Sequence, residues 1–355
     1  KEIETLNKAR VEKELISSKK ELELNKVKNE NEKKESELKL LKQGELLKNE
    51  EINTHKVYQM MYLSGLTFLI ILISFILKIL YDNKKKNKII TQQKEEVEEA
   101  HQEIKDSIIY AKRIQSAILP PAKLVKEYLK EYFILYKPKD IVAGDFYWME
   151  SVVPTSNKKD TAILFAAADC TGHGVPGAMV SVVCNNGLNR SVREYGLTDP
   201  GEILNKTREI VIAEFEKSED EVKDGMDIAL CSLEGNTLKY AGANNPLWII
   251  RDGEIIETKA DKQPIGKFDE LLPYTTHTFE LQKGDSIYIF SDGYVDQFGG
   301  EKGKKFKAKA FRELLLSIQD SPMEEQRIII DSTFESWRGN LEQIDDVCVI
   351  GVKIN

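Results

Sequence analysis

The sequence predicts an α+β globular region set behind long charged helices and one membrane-spanning helix. Three features carry this reading. Strand-like and helix-like runs beyond residue 130 are segregated more than they alternate, a long run in the first hundred residues has no formal charge, and Glu/Lys/Leu-rich stretches flank that run.

Taken in order, residues 1–56 are rich in Glu, Lys and Leu and lack Pro, aromatics and Cys. Leu24, Val27, Leu38 and Leu41 fall at heptad-like spacing, and Asn31 and Lys34 interrupt it. The stretch reads as a charged extracytoplasmic helix, either solvated alone or weakly paired. A start at Lys1 without methionine predicts a fragment or a processed chain.

Next comes "VYQMMYLSGLTFLIILISFIL", Val57–Leu77, bounded by Lys56 and Lys78. At ~1.5 Å per residue it spans roughly 31 Å, the thickness of a bilayer core. With Tyr58, Tyr62 and Tyr81 as interfacial aromatics, a transmembrane helix is expected over residues 57–81. Its downstream flank, "KILYDNKKKNK", is richer in lysine than its mixed upstream flank "KNEEINTHK", so the C-terminal side is expected in the cytoplasm. The chain is thus expected to be a single-pass protein of the inner or cell membrane.

Residues 82–119 carry a cleaner heptad. Ile90, Val97, Ile104, Ala111 and Ile118 recur every seventh residue, with Ala100, Ser107 and Ile114 three later. A cytoplasmic linker helix with a homodimer seam is expected, ended by Pro120 and Pro121; a passive spacer is the plainer alternative.

Residues 120–355 form the globular region. "YFILY", "IVAGDFYWM", "TAILFAAAD", "MDIALCSL", "TLKYAG", "LWIIRDGEII", "DSIYIFSDG" and "DVCVIGVKI" predict strands. Helical periods are expected from Pro176 to Tyr195, Pro200 to Lys217, Lys307 to Gln319 and Met323 to Trp337.

A net charge of −8, with no basic and aromatic patch in the globular region, argues against nucleic acid as a partner. Cys170, Cys184, Cys231 and Cys348 form no C-x-x-C pair, which excludes a zinc ribbon or thioredoxin motif and predicts free thiols in a reducing compartment.

The chemistry is carried by aspartates at strand ends. Asp169 closes "TAILFAAAD" and is followed by Gly172 and Gly174, which let the backbone approach whatever the carboxylate holds. Asp145 lies within the expected strand "IVAGDFYWM", Asp292 follows "DSIYIF", and Asp345 and Asp346 precede "VCVIGV". Any one alone reads as a turn former or helix cap. Brought together without Arg or Lys they would repel, so convergence demands cations, and an all-oxygen set suits Mg²⁺ or Mn²⁺. Two such ions hold a phosphoryl oxygen and activate water, which implies metal-assisted phosphate-ester hydrolysis.

"GDFYW" (Gly144–Trp148), "ADCTGHGVPGAM" (Ala168–Met179), "SDGYVDQFGG" (Ser291–Gly300) and "DDVCVIGV" (Asp345–Val352) together resemble the SpoIIE-like branch of the metal-dependent protein phosphatase superfamily, protein phosphatase 2C type. "MDIALC", "YAGANNPLWIIRDGE" and "QPIG" resemble its intervening segments, so the likeness covers roughly Ala117 to Asn355. It implies an α-β-β-α sandwich with two Mn²⁺ or Mg²⁺ ions between the sheets. By the same resemblance, Asp169 bridges both ions, the Cys170 carbonyl completes one site, and Asp292 and Asp345 hold the second, with Asp346 the alternative to Asp345. Asp145 binds the first ion directly or through water, so Asp145 and Asp169 form the catalytic pair. The implied substrate is a phosphoserine or phosphothreonine protein, often an anti-sigma-factor antagonist.

Three positions depart from the family pattern: Ala143 for the first glycine of "GGD", Trp148 for an aspartate, and Cys348 for a threonine. No equivalent stands out for the phosphate-gripping arginine of the eukaryotic relatives. Lys137 and Lys139 are the candidate substrate-binding substitutes, weighed against plain surface lysines. His173 is a general-acid candidate by its chemistry, but its place after the Asp-x-x-Gly turn favours a loop-holding role. "AGANNP" reads as a polar turn in which Asn244 and Asn245 are minor candidates for approaching substrate. Against the phosphatase stands a catalytically silent membrane receptor or scaffold. A nucleotide enzyme is disfavoured by the lack of a Walker-type loop.

Overall fold

Helix α1 (Glu2–Ile118) stops where Pro120 and Pro121 remove two backbone donors, and Pro121 then serves as the N-cap of the short helix α2 (Ala122–Tyr128). The computed structural model describes residues 1–152, 161–217 and 223–355, and it divides into the units Lys1–Glu98 and Glu99–Asn355. The first unit is helix alone. Its apolar residues from Val57 to Leu80 are solvent-exposed, and the helix is long and apolar enough there to cross a membrane.

Among the described residues of the second unit, ten strands form two antiparallel sheets. One runs β1 (Glu131–Lys137), β12 (Val347–Lys353), β9 (Ser286–Phe290), β6 (Leu247–Arg251), β7 (Glu254–Thr258). The other runs β2 (Phe146–Val152), β3 (Ala162–Cys170), β4 (Met226–Glu234), β5 (Thr237–Ala243), β8 (His277–Glu280). A small hairpin joins β10 (Phe298–Gly299) to β11 (Lys304–Lys305). Helices α3 (Gly174–Arg193) and α4 (Pro200–Phe215) cover the second sheet, and α6 (Lys307–Ser317) and α7 (Met323–Arg338) cover the first; α5 (Gly293–Asp296) is a single turn. The architecture is the expected α-β-β-α sandwich.

Strand parity sorts the side chains into three apolar layers. On β3, Leu164, Ala166 and Ala168 pack with Leu188 and Val211 of α3 and α4, while Phe165 and Ala167 face Ile249, Ile289 and Ile350 across the sandwich. Trp248, Tyr288, Phe311 and Phe334 fill the third layer beneath α6 and α7. Because both faces of the central strands are covered, "AILFAAAD" reads as a continuous apolar run. Each fully buried Phe or Leu contributes about 1.5–3 kcal/mol by burial.

Two strand expectations need correction. "LWIIRDGEII" is not one strand but the hairpin of β6 and β7, turned at Asp252 and Gly253, whose φ of 52° and 79° suit a two-residue type I′ loop. "IVAGDFYWM" becomes a strand only at Phe146, so Asp145 sits at the end of a loop rather than within the strand. The preceding segment cannot join the ladder because Asp346 and Gln115 engage its amides instead.

Candidate metal centre

The parity that sends Phe165 and Ala167 into the inter-sheet layer also sends Asp169 there, at the strand end where that layer opens. Its register partner on β4 is Asp227, on the same face. Asp292 follows β9 and Asp345 precedes β12, the neighbouring strands of the other sheet. Asp169, Asp227, Asp292 and Asp345 thereby line one cleft of about 230 Å³, together with Cys170, Gly172 and His173. Asp145, 1% exposed, is buried beside Asp169, whose charge acts on it, and the Ser291 hydroxyl donates to Asp145 Oδ2 at 2.5 Å.

Glycines permit this convergence. A Cβ on Gly144 or on Gly177 would collide with the Gly172 carbonyl, so the loop carrying Asp145, the turn after Asp169 and the first turn of α3 stack backbone on backbone.

The electrostatics are those of carboxylates held together without enough positive charge. Burial and then the charges of Asp292, Asp345 and Asp227 push the Asp169 carboxyl up to about 8. Burial, followed by the Asp169 charge, raises Asp145 well above the usual range, and the Ser291 bond only partly offsets this. Asp292 and Asp227 are raised chiefly by burial as well. Such a set favours protons or, better, divalent cations. Its donors are oxygens, which fits Mg²⁺ or Mn²⁺. Among the described residues no three His, Cys, Asp or Glu side chains are grouped closely enough to hold a metal ion as they stand.

Cys170 lines the cleft but does not offer it a thiolate. Its thiol turns to the helix-facing layer against Cys184, where burial raises it well above its ordinary value and removes thiolate character. Asp346 is spent differently from Asp345. Its carboxylate accepts from the Lys139 and Gly144 amides, both at 2.7 Å, and from the Asp145 amide. It thus ties down the loop that presents Asp145.

The two candidate lysines part company. Lys137 donates to Asp331 at 2.6 Å and Glu335 at 2.5 Å on α7 and does not line the cleft. Lys139 reaches 3.0 Å from Nε2 of His173, a cleft-lining residue. Of the turn asparagines, Asn244 donates to Asp227 at 2.8 Å, whereas Asn245 is buried with its carbonyl accepting from Tyr240.

Sequence reasoning passed over three residues: Asp227, the Ser291 hydroxyl and Gln115. The Gln115 side chain pairs with both backbone groups of Ala143, at 2.5 and 3.1 Å, and donates to Ser181 of α3 at 3.1 Å. The end of α1 is thereby clamped to the Asp145 loop. Only the run "MDIAL" hinted at Asp227, and it required the pairing of β3 with β4 to be read.

The family model "Stage II sporulation protein E (SpoIIE)" matches residues 159–355. Among solved structures, the SiaA-PP2C domain of Pseudomonas aeruginosa is 31% identical, with a TM-score of 0.64 over 72% of this chain and 99% of that one. The PP2C phosphatase domain and regulatory-domain fragment of SpoIIE from Bacillus subtilis shares the fold at 19% identity, with a TM-score of 0.51 over 63% of each chain. No curated protein sequence matches the chain. The sandwich, the order of its motifs and these matches lead to one conclusion: the chain belongs to the SpoIIE family and carries a PP2C-type phosphatase domain.

Proposed function

We propose that this protein is a membrane-anchored, metal-dependent serine/threonine protein phosphatase. The observation that carries the reading is the convergence of four aspartates from both sheets on one small cleft, with a fifth, Asp145, buried beneath. Asp169, Asp292, Asp345 and the Cys170 carbonyl would hold two Mn²⁺ or Mg²⁺ ions, with Asp145 reaching the first directly or through water. Such ions supply charge compensation, polarisation of the phosphoryl group and a water nucleophile of lowered pKa.

The chain's own groups do the rest. Ser291 fixes Asp145 through its hydroxyl, Asp346 anchors the loop behind it, and Asn244 orients Asp227. A cleft of about 230 Å³ lies below the ~300–1,000 Å³ typical of pockets for drug-sized ligands. That suits the phosphorylated end of a side chain, and the resemblance points to phosphoserine or phosphothreonine on a regulatory protein such as an anti-sigma-factor antagonist.

Residues 57–81 would cross the membrane, and the lysines after them support a cytoplasmic side for residues 120–355 by the positive-inside rule. Residues 1–56 would then lie outside. The linker at 82–119 would pair through Ile90, Val97 and Ile104, which are 60%, 69% and 60% exposed in the single chain. Gln115 would pass a change in that pairing to the Asp145 loop.

The test is release of phosphate from a phosphoprotein or a chromogenic phosphate ester by the full chain with and without Mn²⁺. Metal-dependent turnover that Asp169→Asn abolishes supports the reading. A metal-loaded dimer inert on every phosphoprotein supplied would favour the silent receptor or scaffold.

A further inference from the structure

The cleft presents a problem of charge. A phosphomonoester carries about two negative charges near neutral pH, and it must approach four lining carboxylates. Charge compensation from the cleft rim is needed in addition to any ions the carboxylates hold. Lys137 cannot supply it, because Asp331 and Glu335 occupy its ammonium.

Lys139 does not itself line the cleft but is held against His173, which does, and it is fixed from two directions. Its backbone amide donates to Asp346 Oδ1 at 2.7 Å, and its ammonium lies 3.0 Å from His173 Nε2. The other ring nitrogen, Nδ1, is 2.9 Å from Asp140 Oδ2. Donor and acceptor capacities fix the protons. An ammonium has only donors, so His173 Nε2 accepts; the ring is then neutral with its hydrogen on Nδ1, which donates to Asp140. Asp140 sets the tautomer, the tautomer gives Lys139 an acceptor, and the acceptor aims the ammonium without neutralising it. Two of its three N–H groups remain to be given away. His173 and Asp140 are about half exposed, so the array is open to solvent beside the cleft.

We infer that Lys139 is the substrate-binding cation of this site, contacting the phosphoryl oxygens of a phosphorylated side chain, and that His173 and Asp140 are positioning residues that hold it there. This deepens the phosphatase reading and rests on it for the identity of the substrate. It also gives His173 a purpose other than general acid, since its Nε2 is occupied as an acceptor.

The experiment uses the full chain in detergent or nanodiscs, loaded with Mn²⁺, and has two arms: steady-state turnover of a phosphoprotein, and calorimetric binding of inorganic phosphate. Lys139→Met is expected to raise KM and the phosphate Kd about tenfold, the worth of roughly one charge-assisted hydrogen bond. Its kcat should stay within about threefold and its Mn²⁺ affinity should not change, because the backbone bond to Asp346 survives. Lys139→Arg should recover part of the loss, and Asp140→Asn should show a smaller rise in the same two constants. A Lys139→Met chain with KM and phosphate Kd within twofold of wild type overturns the inference, as does a loss confined to kcat. Phosphate binding that depends on Lys139 in a chain that turns over no phosphoprotein would uphold the array and refute the phosphatase reading. Turnover indifferent to Lys139 would do the reverse.

Discussion

Asp346→Ala separates an anchor from a metal ligand. The Asp346 carboxylate is 1% exposed and accepts three backbone amides, from Lys139, Gly144 and Asp145. Bonds to a charged acceptor are worth about 1.5–3 kcal/mol each. Against them stands the cost of burying the carboxylate, which is large enough to raise its pKa despite the three amides. Truncation leaves those amides facing a small void, and a net loss of about 2–4 kcal/mol in the metal-free protein is expected, a sizeable share of the ~5–15 kcal/mol of a typical domain. Mn²⁺ affinity should fall as well, by a smaller factor than in Asp345→Ala, because the loop that presents Asp145 is loosened rather than a donor removed. Asp346→Asn, which keeps one acceptor oxygen, should lie between. Urea unfolding of the metal-free chain and Mn²⁺ titration report the two effects. An Asp346→Ala chain as stable as wild type that no longer binds Mn²⁺ would refute the anchor assignment and make Asp346 a ligand.

Gly177→Ala should cost about 1–3 kcal/mol by overpacking and weaken Mn²⁺ binding, because its methyl meets the Gly172 carbonyl; unfolding and metal titration would show both. Gln115→Ala removes a buried amide that pairs with Ala143 and Ser181, so a loss of about 1–3 kcal/mol and slower turnover are expected in the same 355-residue chain. Val97→Lys with Ile104→Lys should change both association and rate, read by light scattering and phosphate release; if neither changes, the seam is dispensable. Asp285 gives a pH dependence. Burial opposes ionisation there, but the Arg251 guanidinium and the Gln282 amide hold its pKa below the ordinary value. A carboxylate depressed in the folded state adds stability above its unfolded pKa of about 3.9, and that stability is lost as pH falls through the lower folded value. Arg251→Met should therefore flatten the acid limb of a stability–pH curve below about pH 4 and leave any limb near neutrality in place.

Asp169 was legible in the sequence because both faces of β3 are covered. An apolar run that ends in aspartate and glycines is the pattern of a buried strand delivering a carboxylate to the sheet's end. The strand and helix runs gave the α+β class, and the sandwich followed only from the family resemblance carried by the motifs and their order. Parity, loops and pairing were harder to read. Asp145 looked like a strand residue because its neighbours Val142, Ala143 and Phe146 are as buried as any strand core, yet side-chain acceptors rather than a ladder satisfy that segment. "RDG" was read through as strand although Asp-Gly at two successive positive φ values is a hairpin signal. Asp227 becomes meaningful only opposite Asp169, a register no local pattern reports. Gln115 drew no attention in the sequence, because a buried amide on a charged helix has no sequence signature of its own. Lys137 and Lys139 were equal in the sequence, and the carboxylates of α7 divided them.

The most direct test of the account is the number of divalent ions the chain binds, measured by Mn²⁺ titration calorimetry with metal analysis of the unsubstituted chain and of Asp169→Asn. Two ions per chain in the wild type, with the substitution disrupting both, is the result the converging carboxylates require. A wild-type chain that takes up no Mn²⁺ or Mg²⁺, or an Asp169→Asn chain that binds both ions as before, would contradict it.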